Sequence, residues 1–434
     1  MELIEVILSK ENLNRAYKKV VANKGASGVD GVTVKELGDY IRENKDVIVT
    51  SIRNKTYMPK PVRRVYIPKD NGKQRPLGIP TALDRTIQQA IAQPISDIYE
   101  EIFSEYSYGF RPGRSCHDAI RQALCYLNSG YEWVVDVDIE QFFDRVNHDK
   151  LIQILREQVN DSTTLKLIRK YLKAGVMEKG LEKATTTGVP QGGPLSVVCS
   201  NVYLDKLDKE LEQRGLRFTR YADDVLIFTK SEMAANRVMK SICSWLERKL
   251  FLKVNATKTK VVRPTRSKYL GFTFLKNGSE WKVRPANEKK KKLKKKLSEY
   301  LKRGKAVARP LAVTIKRVNE IARGWINYFR IGMMKLFMEE LGEWLRHKMR
   351  VILMKQWKRP KTIYRNLSYL NWKNKTGCNQ EEIFKVANSR LGWYRRCGMN
   401  VVNFIISKDL LENRIKDGAN LLNPLSYYLV KVGI

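Results

Sequence analysis

The chain has 434 residues, too many for one ordinary core, so two or three domains are expected. Apolar residues make up 43%, which fits packed domains and excludes a disordered chain. A net charge of +37, from 82 Lys and Arg against 45 Asp and Glu, calls for an anionic partner.

Nucleic acid is the expected partner. No apolar run approaches the ~18–20 residues of a spanning helix, and the opening MELIEVILSKENL lacks a signal-peptide layout, so no membrane partner is expected. Six scattered cysteines (Cys116, Cys125, Cys199, Cys243, Cys378, Cys397) show no CxxC spacing, and only three histidines are present. That pattern predicts neither a zinc site nor a disulfide framework, and it suits a reducing cytoplasm.

In chain order, the first fifty residues combine helical periodicity (Leu13, Tyr17, Val20, Val21) with a glycine-rich turn, NKGASGVDG, at 23–31. The Pro-punctuated stretch YMPKPVRRVYIPKDNGKQRPLGIP reads as a β-hairpin around Asn71-Gly72. Arg63, Arg64, Lys69, Lys73 and Arg75 crowd around that turn. Residues 81–99 read as a helix. Residues 131–148 open as a strand and become helical, and 216–228 and 269–275 read as further strands. From about residue 287 the chain turns helical and more basic. In NEKKKKLKKKL, Leu293 and Leu297 make one apolar face amid Lys289, Lys292, Lys295 and their neighbours. Such a run suits nucleic-acid phosphates, although a charged face is commonly only solvated. Trp325, Tyr328, Phe329, Trp344 and Trp357 interleave with these cations; some could stack on bases, while most read as core. Pro360 and the polar stretch 371–380 suggest a boundary before a last helical unit.

The acidic residues are the exception to this basic chain. RYADDVLIF (220–228) sets Asp223 and Asp224 against a buried-strand pattern. In VVDVDIEQFF, Asp136 and Asp138 alternate with apolar residues and so share one strand face. If the two strands are antiparallel neighbours, Asp138 can meet Asp223 and Asp224. Repelling carboxylates are tolerable where they hold a cation, and an all-oxygen set suits Mg²⁺. Taken alone, a pair of aspartates in an exposed hairpin turn is equally well explained by turn chemistry.

Taken together, these blocks resemble the reverse transcriptases encoded by bacterial group II introns. RYADDVLIF and VDIEQFFDRVNH (137–148) are similar to the catalytic motifs of that family. SYGFRPGRSCHDAI (107–120), GVPQGGPLSVVCSNVYLDKLD (188–208) and YLGF (269–272) are similar to its companion blocks. GWINYF (324–329) resembles the maturase-associated thumb, and NKGASGVDG the N-terminal extension.

The resemblance implies an α+β right-hand polymerase with an antiparallel palm sheet, fingers and a helical thumb. The implied segments are an N-terminal extension (1–60), fingers and palm (61–285), thumb (286–368) and a basic C-terminal nucleic-acid-binding domain (369–434). The implied activity is RNA-directed DNA synthesis: dNTPs are added to a DNA or RNA primer on an RNA template, and intron RNA is bound to assist splicing and mobility. Alternatives are a splicing maturase with secondary polymerase activity, or a domesticated reverse transcriptase in DNA repair or phage defence.

The resemblance also assigns residues. Asp138, Asp223 and Asp224 would hold two Mg²⁺ ions. Lys69 and Arg75 would grip the triphosphate. Phe143 would gate the sugar, with Phe142 as competitor, and Gln191 would lie along the nucleotide, with Gly192 and Gly193 allowing close approach. Arg63, Arg111, Arg114 and the lysines Lys289, Lys292 and Lys295 would bind nucleic acid, with loop bracing an equal reading for Arg111 and Arg114. Asp144 and His148 are expected to interact structurally along one helix. Asp136 is left outside the ligand set. With no histidine after His347 and only two late cysteines, a zinc-spaced endonuclease is not expected. The implied location is the bacterial cytoplasm, at the nucleoid when on DNA.

Overall fold

The computed structural model describes residues 2–68, 72, 74–178, 180–414 and 419–433. It divides into two compact units, Met1–Leu270 and Gly271–Ile434. The fold class is α+β, as expected from the sequence. Among the described residues no helix is long and apolar enough to cross a membrane.

The first unit carries two sheets. β1 (Val62–Pro68) and β2 (Gln74–Ile79) form the expected hairpin, in register from Arg63 opposite Ile79 to Pro68 opposite Gln74. The central sheet contains β3 (Trp133–Asp138). The short strands β4 (Val176–Glu178) and β5 (Leu181–Lys183) extend the hairpin's sheet in the order β2-β1-β4-β5. β6 (Arg217–Tyr221), β7 (Asp224–Thr229) and β8 (Lys260–Val262) complete the central sheet, ordered β6-β7-β3-β8 and antiparallel throughout.

Alternation decides how the central sheet packs. Val135, Val137, Val225 and Ile227 point to one face and join the main core, with Ile242 and Leu246 of the helix Glu232–Leu250 and Leu204, Leu207 and Leu211 of the helix Pro194–Gln213. On the opposite face Val134 and Phe228 are buried near one end, where Phe228 meets the Tyr126 ring at 5.5 Å. The aspartates occupy the other end of that face. The N-terminal residues Ile4, Ile7, Leu8, Ala16 and Ile52 belong to the same core, so the segment 1–60 is built into the first unit.

Two expected boundaries fall elsewhere. The hairpin Phe272–Asn277/Glu280–Pro285 belongs to the second unit: Ala286 N–H donates to Gly271 O and Met333 N–H to Val283 O. No break occurs at 368/369, because the helix Pro360–Asn374 runs through it. Asn371 fastens the following loop to that helix, donating to Cys378 O and accepting from Cys378 N–H.

The second unit is mainly helical. In the helix Asn287–Tyr300, Leu293 and Leu297 are buried while the lysines ring the outside, as the four-residue spacing predicts. Trp325, Phe329 and Phe337 form an aromatic cluster, with Trp325–Phe329 centroids at 4.5 Å. Lys290 and Lys294 lie over the Phe337 ring.

Candidate active site

The acidic turn follows from the β6–β7 register. Tyr221 pairs with Asp224, leaving Ala222 and Asp223 as a two-residue hairpin loop. Such loops need a positive φ, usually from glycine; here Ala222 supplies it at φ +57°, at a cost of about 1 kcal/mol. β3 pairs with β7 so that Asp138 stands directly opposite Asp224. Opposed residues share a face with Cβ atoms roughly 5 Å apart. The register thus brings Asp138 opposite Asp224, with Asp223 beside it in the turn. Asp136 lies on the same face, opposite Leu226 on one side and Lys260 on the other.

These charges disturb one another. Asp224 remains accessible to solvent, yet the protein packed around its carboxyl and the nearby Asp223, Asp136 and Asp138 push its pKa up to about 6, with Lys258 opposing. Burial also raises Asp136 to about 6, with Asp138 adding to the rise and Lys260 opposing it. A cluster whose ionised form is disfavoured by its own charge is one that a cation relieves. Lys258 already does so in part, its ammonium 3.2 Å from the Asp138 carboxylate. The loop carrying Lys258 is tied to the same residue: Asp138 N–H donates to Thr259 Oγ1, and Asp138 O accepts from Asn255 N–H. Among the described residues no three His, Cys, Asp or Glu side chains converge closely enough to hold a metal unaided. The donors present are all carboxylate oxygens, which fits a hard divalent cation whose remaining ligands come from substrate phosphates.

The residues expected to bind the nucleotide converge in part. Arg75 Nε donates to Gln191 Oε1 at 2.9 Å, joining the fingers hairpin to the PQGG loop. Lys69 lies outside the described residues. Gly192 and Gly193 do not leave open space: a Cβ on Gly192 would lie 2.5 Å from Gly78 O, and one on Gly193 2.1 Å from Gln88 Oε1. Their lack of side chains lets the loop pack against the fingers, and Gly78 N–H donates to Gln191 O. Phe142 is a core ring, buried beside Tyr203, whereas Phe143 is only half-buried. The Phe143 carbonyl accepts from Val189 N–H, linking that ring's backbone to the same loop.

The remaining residues meet different surroundings. Arg111 is buried, and its guanidinium is spent on Glu100 and on the carbonyls of Ser104 and Ser107, so it braces the loop and has no donor left for a template. Arg114 donates to Glu105 O and lies over the Tyr108 ring, also bracing. Arg63 donates to Ser27 O of the glycine-rich turn. His148 does not pair with Asp144, because the helix breaks between Phe142–Arg145 and His148–Arg156; its Nε2 lies 2.7 Å from Gly188 O. Lys292 and Lys295 are exposed, and Lys289 is half-buried.

Sequence reasoning missed two features. Lys258 sits in NATKTK and looks like any surface lysine. A buried network behind the turn joins Arg220 to Asp208 and Asn201. A signal for it existed, because Asn201, Asp205 and Asp208 recur at four- and three-residue spacing along an otherwise apolar helix face.

Two family models match the chain: "Reverse transcriptase (RNA-dependent DNA polymerase)" over residues 67–274, and "Group II intron, maturase-specific domain" over 290–372. Protein YkfC of Escherichia coli is 34% identical over 313 residues, 63% of this chain and 81% of that protein. The group II intron-encoded protein LtrA of Lactococcus lactis is 41% identical over 206 residues, 47% of this chain but only 34% of LtrA. A putative COX1/OXI3 intron 2 protein of Saccharomyces cerevisiae is 36% identical over 203 residues, 46% of this chain and 23% of that protein. The chain thus spans most of YkfC and about a third or less of the two intron proteins.

Proposed function

The chain belongs to the reverse transcriptases and maturases of group II introns, and from that premise we propose that Asp138, Asp223 and Asp224 are its catalytic carboxylates. The reaction is RNA-directed DNA polymerisation: a primer 3′-OH attacks the α-phosphate of a dNTP paired to an RNA template, and pyrophosphate leaves. Two Mg²⁺ ions held by the three aspartates would stabilise charge on the attacking and leaving oxygens. The observation that carries this reading is the register that sets Asp138 against Asp224 beside a strained turn bearing Asp223.

The other roles are those that the family resemblance implies. Arg75 and Gln191 act together on the incoming nucleotide, with Lys69 contributing a further cation to the triphosphate. Phe143, the accessible ring of the pair, stands against a ribose 2′-OH. The lysine-ringed helix Asn287–Tyr300, with Lys289, Lys292 and Lys295, supplies cations to the phosphates of template and intron RNA. Splicing assistance needs this binding and not the aspartates. The test is to measure both activities in Asp223→Ala: DNA synthesis should vanish while intron-RNA affinity and splicing assistance stay at the natural level. Retained synthesis would refute the assignment.

A further inference from the structure

We propose that Arg220 is a positioning residue for the catalytic turn, setting from inside the core where Asp223 and Asp224 stand. This deepens the assignment of those two aspartates and rests on it.

Arg220 and Asp208 are both wholly inaccessible to solvent. Nε and Nη2 of the guanidinium grip the Asp208 carboxylate, with Nε at 2.7 Å from Oδ1 and Nη2 at 2.5 Å from Oδ2. That fork leaves Nη1 to point elsewhere. It donates to Asn201 Oδ1 at 3.0 Å and to the carbonyl of Ala222 at 3.1 Å. Ala222 is the residue that turns the chain between the strands, and its peptide leads directly into Asp223. The arm therefore acts on the peptide that carries the first residue of the acidic pair.

The turn needs such a hold. Ala222 sits at φ +57°, a region that a residue with a Cβ adopts only when its surroundings impose it. A second grip comes from the Tyr106–Gly109 segment. Arg220 N–H donates to Tyr106 O, Tyr108 N–H donates to Arg220 O, and Asn201 Nδ2 donates to Gly109 O. Gly109 lies so close that a Cβ there would be 2.3 Å from Ala222 N. Asn201 thus ties both grips together.

Stability alone does not account for the pair. Removing two charges from water offsets most of their attraction, and apolar residues of similar volume fill such sites as well or better. What an apolar pair cannot supply is the third arm on the Ala222 carbonyl. Planarity matters too: one guanidinium reaches a carboxylate, an amide and a carbonyl in fixed relation, which a lysine ammonium does not.

The experiment compares the natural protein with the double variant Arg220→Leu/Asp208→Leu and with Arg220→Lys. The double variant leaves no uncompensated buried charge, and Arg220→Lys keeps the charge pair but loses the fork. Both leave the buried acceptors on Asn201 and Ala222 short of a donor and are expected to lower Tm, while template–primer Kd stays near natural and dNTP KM within about threefold. Their kcat should fall at least tenfold, with a higher Mg²⁺ concentration needed for half-maximal rate. A folded double variant with kcat within twofold of natural would overturn the proposal. So would a kcat loss matched by an equal fold-loss in template–primer affinity. If the double variant does not fold, Arg220→Lys decides by the same criteria. Failure of the underlying assignment is distinguishable, since it shows as full synthesis by Asp224→Asn.

Discussion

The Lys258 ammonium stands 3.2 Å from the carboxylate of Asp138, the same residue that faces Asp224 across the β3–β7 pairing. Lys258 lowers the Asp224 pKa, while Asp223, Asp136 and Asp138 raise it. Lys258→Ala should therefore move the acid limb of the synthesis pH–rate profile to higher pH. A shift of a few tenths of a unit is expected, because the ammonium is largely exposed and screened. An unchanged or downward-shifted limb would contradict this electrostatic coupling.

Asp136 should make stability depend on pH. Its folded-state pKa of about 6 lies above the ordinary aspartate value. Its contribution is thus fully present below about pH 4, is lost as pH rises to about 6, and stays lost above that. Asp136→Asn should stabilise the protein by about 1–2 kcal/mol at pH 8, after allowance for screening, and by little at pH 4. Thermal or urea unfolding at the two pH values checks this, and equal effects at both would contradict it.

The two phenylalanines should separate cleanly. Phe142→Ala removes a core ring and should destabilise by about 3–5 kcal/mol. Phe143→Ala removes a half-buried ring at the core's edge, so it should destabilise by less than Phe142→Ala and should raise rNTP incorporation relative to dNTP. The two incorporation ratios, measured on one template, decide which ring meets the sugar.

Basic residues should divide in the same way. Arg111→Ala strands the Glu100 carboxylate and two buried carbonyls, so it should cost about 3–5 kcal/mol of stability. It should not alter the salt dependence of RNA binding. Changing Lys289, Lys292 and Lys295 to Gln should leave Tm unchanged. The slope of log Kd against log salt should fall by about one for each phosphate that these lysines no longer neutralise.

The parts legible in the sequence were those with a local period or a fixed turn. Alternation in VVDVDIEQFF, the apolar run after YADD and the Leu293–Leu297 spacing each dictated the strand or helix found. Partners set by tertiary packing were not legible. Nothing in GFRPGR distinguishes an arginine reaching for phosphate from one that closes a loop on Glu100, since both need the same guanidinium. Likewise Gly192 and Gly193 signal a close approach without saying to what, and Gly78 and Gln88 prove to fill that space. The second unit begins at Gly271, ahead of the composition change near 287, because backbone bonds from Ala286 and Met333 draw the preceding hairpin into it.

The most direct test of the carboxylate site is single-turnover addition of one dNTP to a primer on an RNA template in saturating Mg²⁺, comparing the natural protein with Asp138→Asn. The rate constant should fall by about 10³-fold or more, as expected for losing several kcal/mol of charge stabilisation. Template–primer Kd should be unchanged. A rate constant within tenfold of natural in a folded Asp138→Asn protein would contradict the claim that the register of β3 against β7 builds the catalytic centre.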